Sequence, residues 1–126
     1  MTITIDVVLF SYLDRPIYDV YVGKREVGVA GPYPHNGRGT MAGVQFPKGP
    51  QSISWRLDGP EGTPGNGEKV TSKNAPVLDD VPAGARFLAI HINPDNTVDF
   101  IFTPHFPGLS PQGEKFHTAW EARNGK

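Results

Sequence analysis

The feature of this chain that most restricts its fold is a pair of alternating runs, residues 87–92 and 98–103, flanking Asn93-Pro94-Asp95-Asn96. Pro94 presets φ for the first central position of a type I turn, Asp95 suits the second, and Asn96 tolerates the left-handed conformation needed by a following bulge. That loop pairs Asn93 with Thr97, and so sets Ile92 opposite Val98, Ile90 opposite Phe100 and Leu88 opposite Phe102. One face of the hairpin then carries six large apolar side chains. At roughly 1.5–3 kcal/mol for each fully buried one, this face is the expected energetic centre of the fold.

The remaining segments read as further short strands. Residues 2 to 13 alternate and are rich in β-branched and aromatic types, which suits a half-buried strand. Asp14-Arg15-Pro16 ends that run, because proline disfavours helix before it and cannot donate to a ladder. Ile17 to Val22 resumes the alternation, with Tyr18, Val20 and Val22 expected inward and Ile17, Asp19 and Tyr21 on the other face. Glu26 to Ala30, Thr40 to Phe46 and Gln51 to Leu57 follow, the last with Ile53, Trp55 and Leu57 turned to the core. Two stretches, residues 31–39 and 58–67, are breaker-rich loops. With 15 Gly and 13 Pro among 126 residues, the chain suits strands joined by many turns. The expected fold is a mostly β, antiparallel β-sandwich of about six to eight short strands in one domain, residues 1–126. Pro104 to Pro111 is expected as coil crossing a sheet edge. Glu114 to Arg123 has helical composition with Phe116 and Trp120 on one stripe, and reads either as a short C-terminal helix or as a frayed tail.

Chemistry is sparse. The formal charge of −1, from 12 basic and 13 acidic residues, supplies no one-signed field, so no nucleic-acid partner is expected. Cysteine is absent, which removes disulfides, thiolate metal sites and cysteine nucleophiles. His35, His91, His105 and His117 lack the close spacing of metal-ligand pairs, so neither a metal nor another cofactor is expected. No serine lies in a Gly-x-Ser-x-Gly elbow, and the neighbours Asp79 and Asp80 would point opposite ways along a strand. Gly37-Arg38-Gly39 lacks the strand-to-helix setting and the following Lys-Ser/Thr of a phosphate loop. His91 falls opposite Asp99 in the inferred register. That geometry suits either an acid/base pair or a cross-strand polar pair on the more exposed face, and no nucleophile accompanies it. No catalytic residue is assigned. No run approaches the roughly 18 apolar residues of a membrane span. The opening residues read as a strand rather than a secretion signal, so a cytoplasmic location is expected, or a periplasmic one if a leader precedes the chain.

A scaffold without catalysis carries its function on loops. Tyr33, His35 and Arg38 share one long loop, and Tyr and Arg are enriched at protein interfaces. Glu61, in the other loop, could present a carboxylate to a basic cleft. These four are the expected partner-binding residues. A second class of function is a small-molecule or carbohydrate-binding sandwich that uses Trp120, Tyr33 or Tyr21 as a stacking platform.

The order Tyr12-Leu-Asp-Arg-Pro-Ile-Tyr-Asp-Val-Tyr-Val22-Gly, a glycine-rich stretch, Gln51-Ser-Ile-Ser-Trp-Arg56 and Phe87-Leu-Ala-Ile-His-Ile-Asn-Pro-Asp-Asn-Thr-Val98 resembles a bacterial family, domain of unknown function 3304. The matching residues are Asp14-Arg15, Ile17, Gly23, Trp55, His91 and Val98. Many members look like lipoproteins encoded beside toxins of the type VI secretion system. The resemblance therefore implies an immunity protein that binds a cognate effector toxin and blocks its active site. This sequence departs from the family in lacking a leader and a lipidated cysteine. That puts periplasmic anchoring and a phospholipase target in doubt, and a cytosolic guard against a nuclease or nucleotide-degrading toxin fits equally.

Overall fold

The computed structural model describes residues 2–34 and 40–124. Among them the chain forms β1 (Thr2–Ser11), β2 (Ile17–Val22), β3 (Arg25–Ala30), β4 (Thr40–Pro47), β5 (Gly49–Pro50), β6 (Ile53–Leu57), β7 (Lys69–Thr71), β8 (Val77–Leu78), β9 (Phe87–Ile92), β10 (Val98–Thr103) and the helix α1 (Pro111–Asn124). One sheet has the order β10-β9-β1-β4 and the other β3-β2-β6-β7, with β5 and β8 paired on their own. The fold is mostly β and sandwich-like, as expected. Ten strands stand where about six to eight were expected, because β5, β7 and β8 are two or three residues long and lie within turn-rich stretches that show no alternation. The pairings are antiparallel except β1 with β9, which run parallel in register from Asp6 opposite Phe87 to Ser11 opposite Ile92.

The hairpin takes the register its turn dictates, from Val98 opposite Ile92 to Phe102 opposite Leu88. Asn96 adopts φ 68°, and the Asn93 N–H donates to the Thr97 carbonyl at 2.9 Å. Leu88, Ile90, Ile92 and Val98 are fully buried in the inter-sheet core, with Phe100 and Phe102 packed against it. Ile3, Ile5, Val7 and Leu9 enter from β1, and Ile53 and Trp55 enter from β6.

Strict alternation fails in β2. Asp19 sits at φ 48° and adds one residue to β2 between Tyr18 and Tyr21 relative to β6. Such a bulge shifts the side-chain parity of everything beyond it. Ile17 is therefore buried together with Val20 and Val22, while Tyr18 is only half-buried, which corrects the faces expected for this strand.

The outer face of β9 and β10, expected to be the more exposed one, is also corrected. Val8, Phe10, Tyr12 and Ala89 form a second buried cluster there, with Tyr33, Phe87, Ile101 and Phe116 packed on it. Residues 104–110 cross this face without regular structure, and α1 follows them. β1 is consequently half-buried only in its first half and covered on both sides from Val7 onward. The molecule has three layers here: sheet, sheet, then strap and helix.

Candidate functional site

The helix is placed by small, local devices. Ser110 caps it: its Oγ accepts the Gly113 N–H at 2.9 Å and its carbonyl accepts the Glu114 N–H at 2.8 Å. Pro111 occupies the first helical position, where no N–H is needed. Gly113 is the one fully buried residue of α1, and a Cβ there would overlap the ring and hydroxyl of Tyr12. The helix thus approaches the sheet through a glycine. The Tyr12 hydroxyl accepts the Ser110 N–H at 3.4 Å and shares a hydrogen bond with His91 Nδ1 at 2.9 Å.

Tyr33 fastens the helix from the other side. Its ring meets Phe116 edge-on at 5.0 Å and Trp120 at 5.7 Å, and its hydroxyl donates to His117 Nδ1. His117 Nε2 lies 3.2 Å from Glu121, one turn on. Burial raises the Tyr33 hydroxyl above the usual phenol range, and the charges of Tyr12 and Glu121 add to the effect. Beside this aromatic stack is a cavity of about 270 Å³, walled by Tyr33, Phe116 and Trp120 and edged by Asp14, Pro94 and Arg123.

The 58–67 loop is held from within. The Arg15 guanidinium donates from Nε to the Asp58 carbonyl (2.9 Å), from Nη1 to the Pro64 carbonyl (2.9 Å) and from Nη2 to Asn66 Oδ1 (2.8 Å). Asn66 Nδ2 in turn donates to the carbonyls of Gly59 and Pro60, and the Gly67 N–H closes the loop on the Leu57 carbonyl at 2.8 Å. Glu61 stands exposed in this frame. The Leu13 carbonyl accepts the Tyr33 N–H at 2.8 Å, so residues 13–16 anchor both segments.

Of the four expected partner-binding residues, Glu61 is exposed on a fixed loop, Tyr33 is half-buried against the helix with one flank on the cavity, and His35 and Arg38 lie outside the described residues. Tyr33 and Trp120, two of the three candidate stacking residues, come together. Tyr21 does not join them; it borders a separate cleft of about 470 Å³ on the second sheet, with Lys24, Arg56 and Lys69. His91 and Asp99 are cross-strand partners as read, but each bonds elsewhere: Asp99 Oδ2 accepts from Asn93 Nδ2 at 3.0 Å, and His91 is bound to Tyr12. His91 also stacks on Phe10 with ring centres 4.6 Å apart, and burial lowers its pKa to about 4 against an opposing pull from Asp99. Asp79 and Asp80 are both exposed, Asp80 paired with Lys48.

Sequence reasoning missed Arg15 as a clamp and Tyr12 as the hub under the helix. The signal for the helix start was present, since Ser110-Pro111 is the pairing of a cap with a first-turn proline. No comparable local signal marks Arg15, whose acceptors are more than forty residues away.

Fold and site together define a sandwich-like β protein with a fixed loop and an aromatic cavity served by one anchor segment. No family model, no curated protein and no solved structure matches the chain. Among the described residues no helix is long and apolar enough to cross a membrane.

Proposed function

We propose that this chain is a non-catalytic binding protein, an immunity protein that holds an effector toxin and occludes its active site. The observation that carries this reading is the Arg15 clamp. A loop with four glycines and two prolines pays a large ordering cost on binding unless it is already fixed, and three guanidinium bonds fix it in the free protein. The exposed carboxylate of Glu61 on that loop suits a basic cleft, the usual electrostatics of an active site that handles phosphates. The resemblance to the immunity-like family supports the same reading, and Asp14-Arg15 lies within it.

The test is co-expression with the open reading frames that neighbour this protein's own gene. A stable complex and restored growth are expected, and Glu61→Lys should weaken the complex by about tenfold or more. Failure of the abundant, folded protein to bind or protect removes the proposal.

A second reading, binding of a carbohydrate, draws support from the cavity walled by Tyr33 and Trp120, with Asp14 and Arg123 at its edge. It predicts a ligand-induced rise in melting temperature in a glycan panel, lost in Trp120→Ala.

A further inference from the structure

The outer face of the second sheet gathers cations. On β6, Ile53 and Trp55 turn to the core, which leaves Ser54 and Arg56 on the outer side. Arg56 faces Lys69 of β7 directly across the ladder, where like charges repel. Lys24 stands on the turn just beyond β2. Among the described residues the ion pairs are Lys48 with Asp80 and His117 with Glu121, so none of these three cations has a carboxylate at pairing distance. Arg56 donates from Nη1 to the Gly67 carbonyl at 2.8 Å, a bond that braces the guanidinium and leaves the rest of its fork open.

The bulge in β2 brings aromatic surface to the same face. Tyr18 lies opposite Arg56 and Tyr21 opposite Ser54, three residues apart on β2 against two on β6, so the residue added at Asp19 puts both rings on the outer side. An aspartate held at φ 48° is uncommon, and such outliers gather where a fold re-aims a side chain for use. Tyr21 is 36% exposed. Asp19, Tyr21, Lys24, Ser54, Arg56 and Lys69 border one cleft of about 470 Å³, a volume typical of small-molecule sites. Three cations against one carboxylate focus a positive field there, although the whole chain has a net charge of −1.

We propose that this cleft binds a mononucleotide. The base stacks on Tyr21, and the phosphate, with roughly two negative charges at neutral pH, sits between Arg56 and Lys69. Arg56 lies two residues along β6 from Ser54, the partner of Tyr21, a distance of about 7 Å that the ribose spans. Asp19, an acceptor only, faces the ribose hydroxyls. Glu26 stands opposite Tyr21 on β3, on the side away from Arg56, so the phosphate lies toward β7. A nucleic-acid strand fits less well, because 12 basic against 13 acidic residues leave no general positive field for further phosphates. The site is independent of Glu61 and of the proposed toxin interface.

The probe is AMP, with adenosine and inorganic phosphate as comparators and a short oligoadenylate as the strand, followed by NMR at the amides of Ser54 and Arg56 and at the Tyr21 ring. AMP should shift these resonances saturably below ~10 mM and bind about tenfold more tightly than either comparator, since each lacks one of the two contacts. Lys69→Glu should weaken AMP by about tenfold or more and leave adenosine unaffected. Its urea midpoint should hold or rise, because the new carboxylate relieves the repulsion at Arg56. Tyr21→Ser, at an exposed position, should bring AMP down to the affinity of phosphate. Absent shifts up to that concentration, AMP no tighter than adenosine or phosphate, full AMP affinity in Lys69→Glu, or oligoadenylate more than about tenfold tighter than AMP would each overturn the proposal.

Discussion

At the scale of single residues, the contact between Tyr12 and Gly113 reverses an ordinary rule. Glycine inside a helix costs about 1 kcal/mol relative to alanine, so Gly→Ala normally stabilises a helix. Here the added methyl would collide with a buried ring whose hydroxyl is held by both His91 and Ser110. Overpacking of this kind costs about 1–3 kcal/mol, which exceeds the propensity gain. Gly113→Ala is therefore expected to lower the urea midpoint, and a higher midpoint would show that α1 does not seat on Tyr12. Trp55 offers the opposite case, a fully buried ring at 0% exposure in the inter-sheet core. Trp55→Ala should destabilise the protein by about 3–5 kcal/mol through the cavity it leaves. It should act on global unfolding rather than on any one loop, and a stability loss below ~1 kcal/mol would contradict the packing.

At the scale of elements, the parts legible in the sequence were those fixed by neighbours along the chain. The hairpin register followed from Pro94, Asp95 and Asn96 because turn geometry and a two-residue period leave one consistent pairing. The 58–67 loop was legible from its glycines and prolines. The bulge at Asp19 was not, since aspartate tolerates positive φ without requiring it, and one added residue moved Ile17 to the core side. The parallel partnership of β1 with β9 was equally hidden: each strand reads as β, but the choice of neighbour depends on distant contacts. Ala89 and His91 suggested an open face only because nothing near them announces the helix that covers it. Of the site, Glu61's exposure was legible, whereas Tyr33 turned out to serve the helix as much as the surface. Arg15 lets the rigidity of the loop be measured separately from the fold. Arg15→Ala should speed amide exchange at Thr63 and Gly67 by about tenfold or more, given roughly 1–3 kcal/mol for bonds to a charged donor, while Val8 and Leu9 keep their protection. Unchanged exchange in the loop would mean that the clamp does not hold it.

At the scale of the whole molecule, the third layer makes stability depend on pH. His91 lies under the strap and helix, stacked on Phe10 and bonded to Tyr12, in a setting that suits the neutral ring. Its pKa of about 4 in the folded protein lies below the ordinary value near 6.5, chiefly because burial penalises the charged form. Between these two values the unfolded chain takes up a proton that the folded chain refuses. The neutral ring's full contribution is thus present above about pH 6.5, declines as the pH falls, and is exhausted near pH 4, for a total loss on the order of 3 kcal/mol. Asp99 opposes the shift from across the ladder, so Asp99→Asn should lower the His91 pKa further and extend the loss to lower pH at an unchanged slope. The measurement is the urea midpoint of the native protein and of His91→Phe from pH 7.5 to 4. The native curve should fall away from that of the variant below about pH 6.5, because phenylalanine has no proton to gain. Parallel curves would mean that the imidazole is hydrated in the folded state, and the layer of strap and helix would then not seal the face it covers.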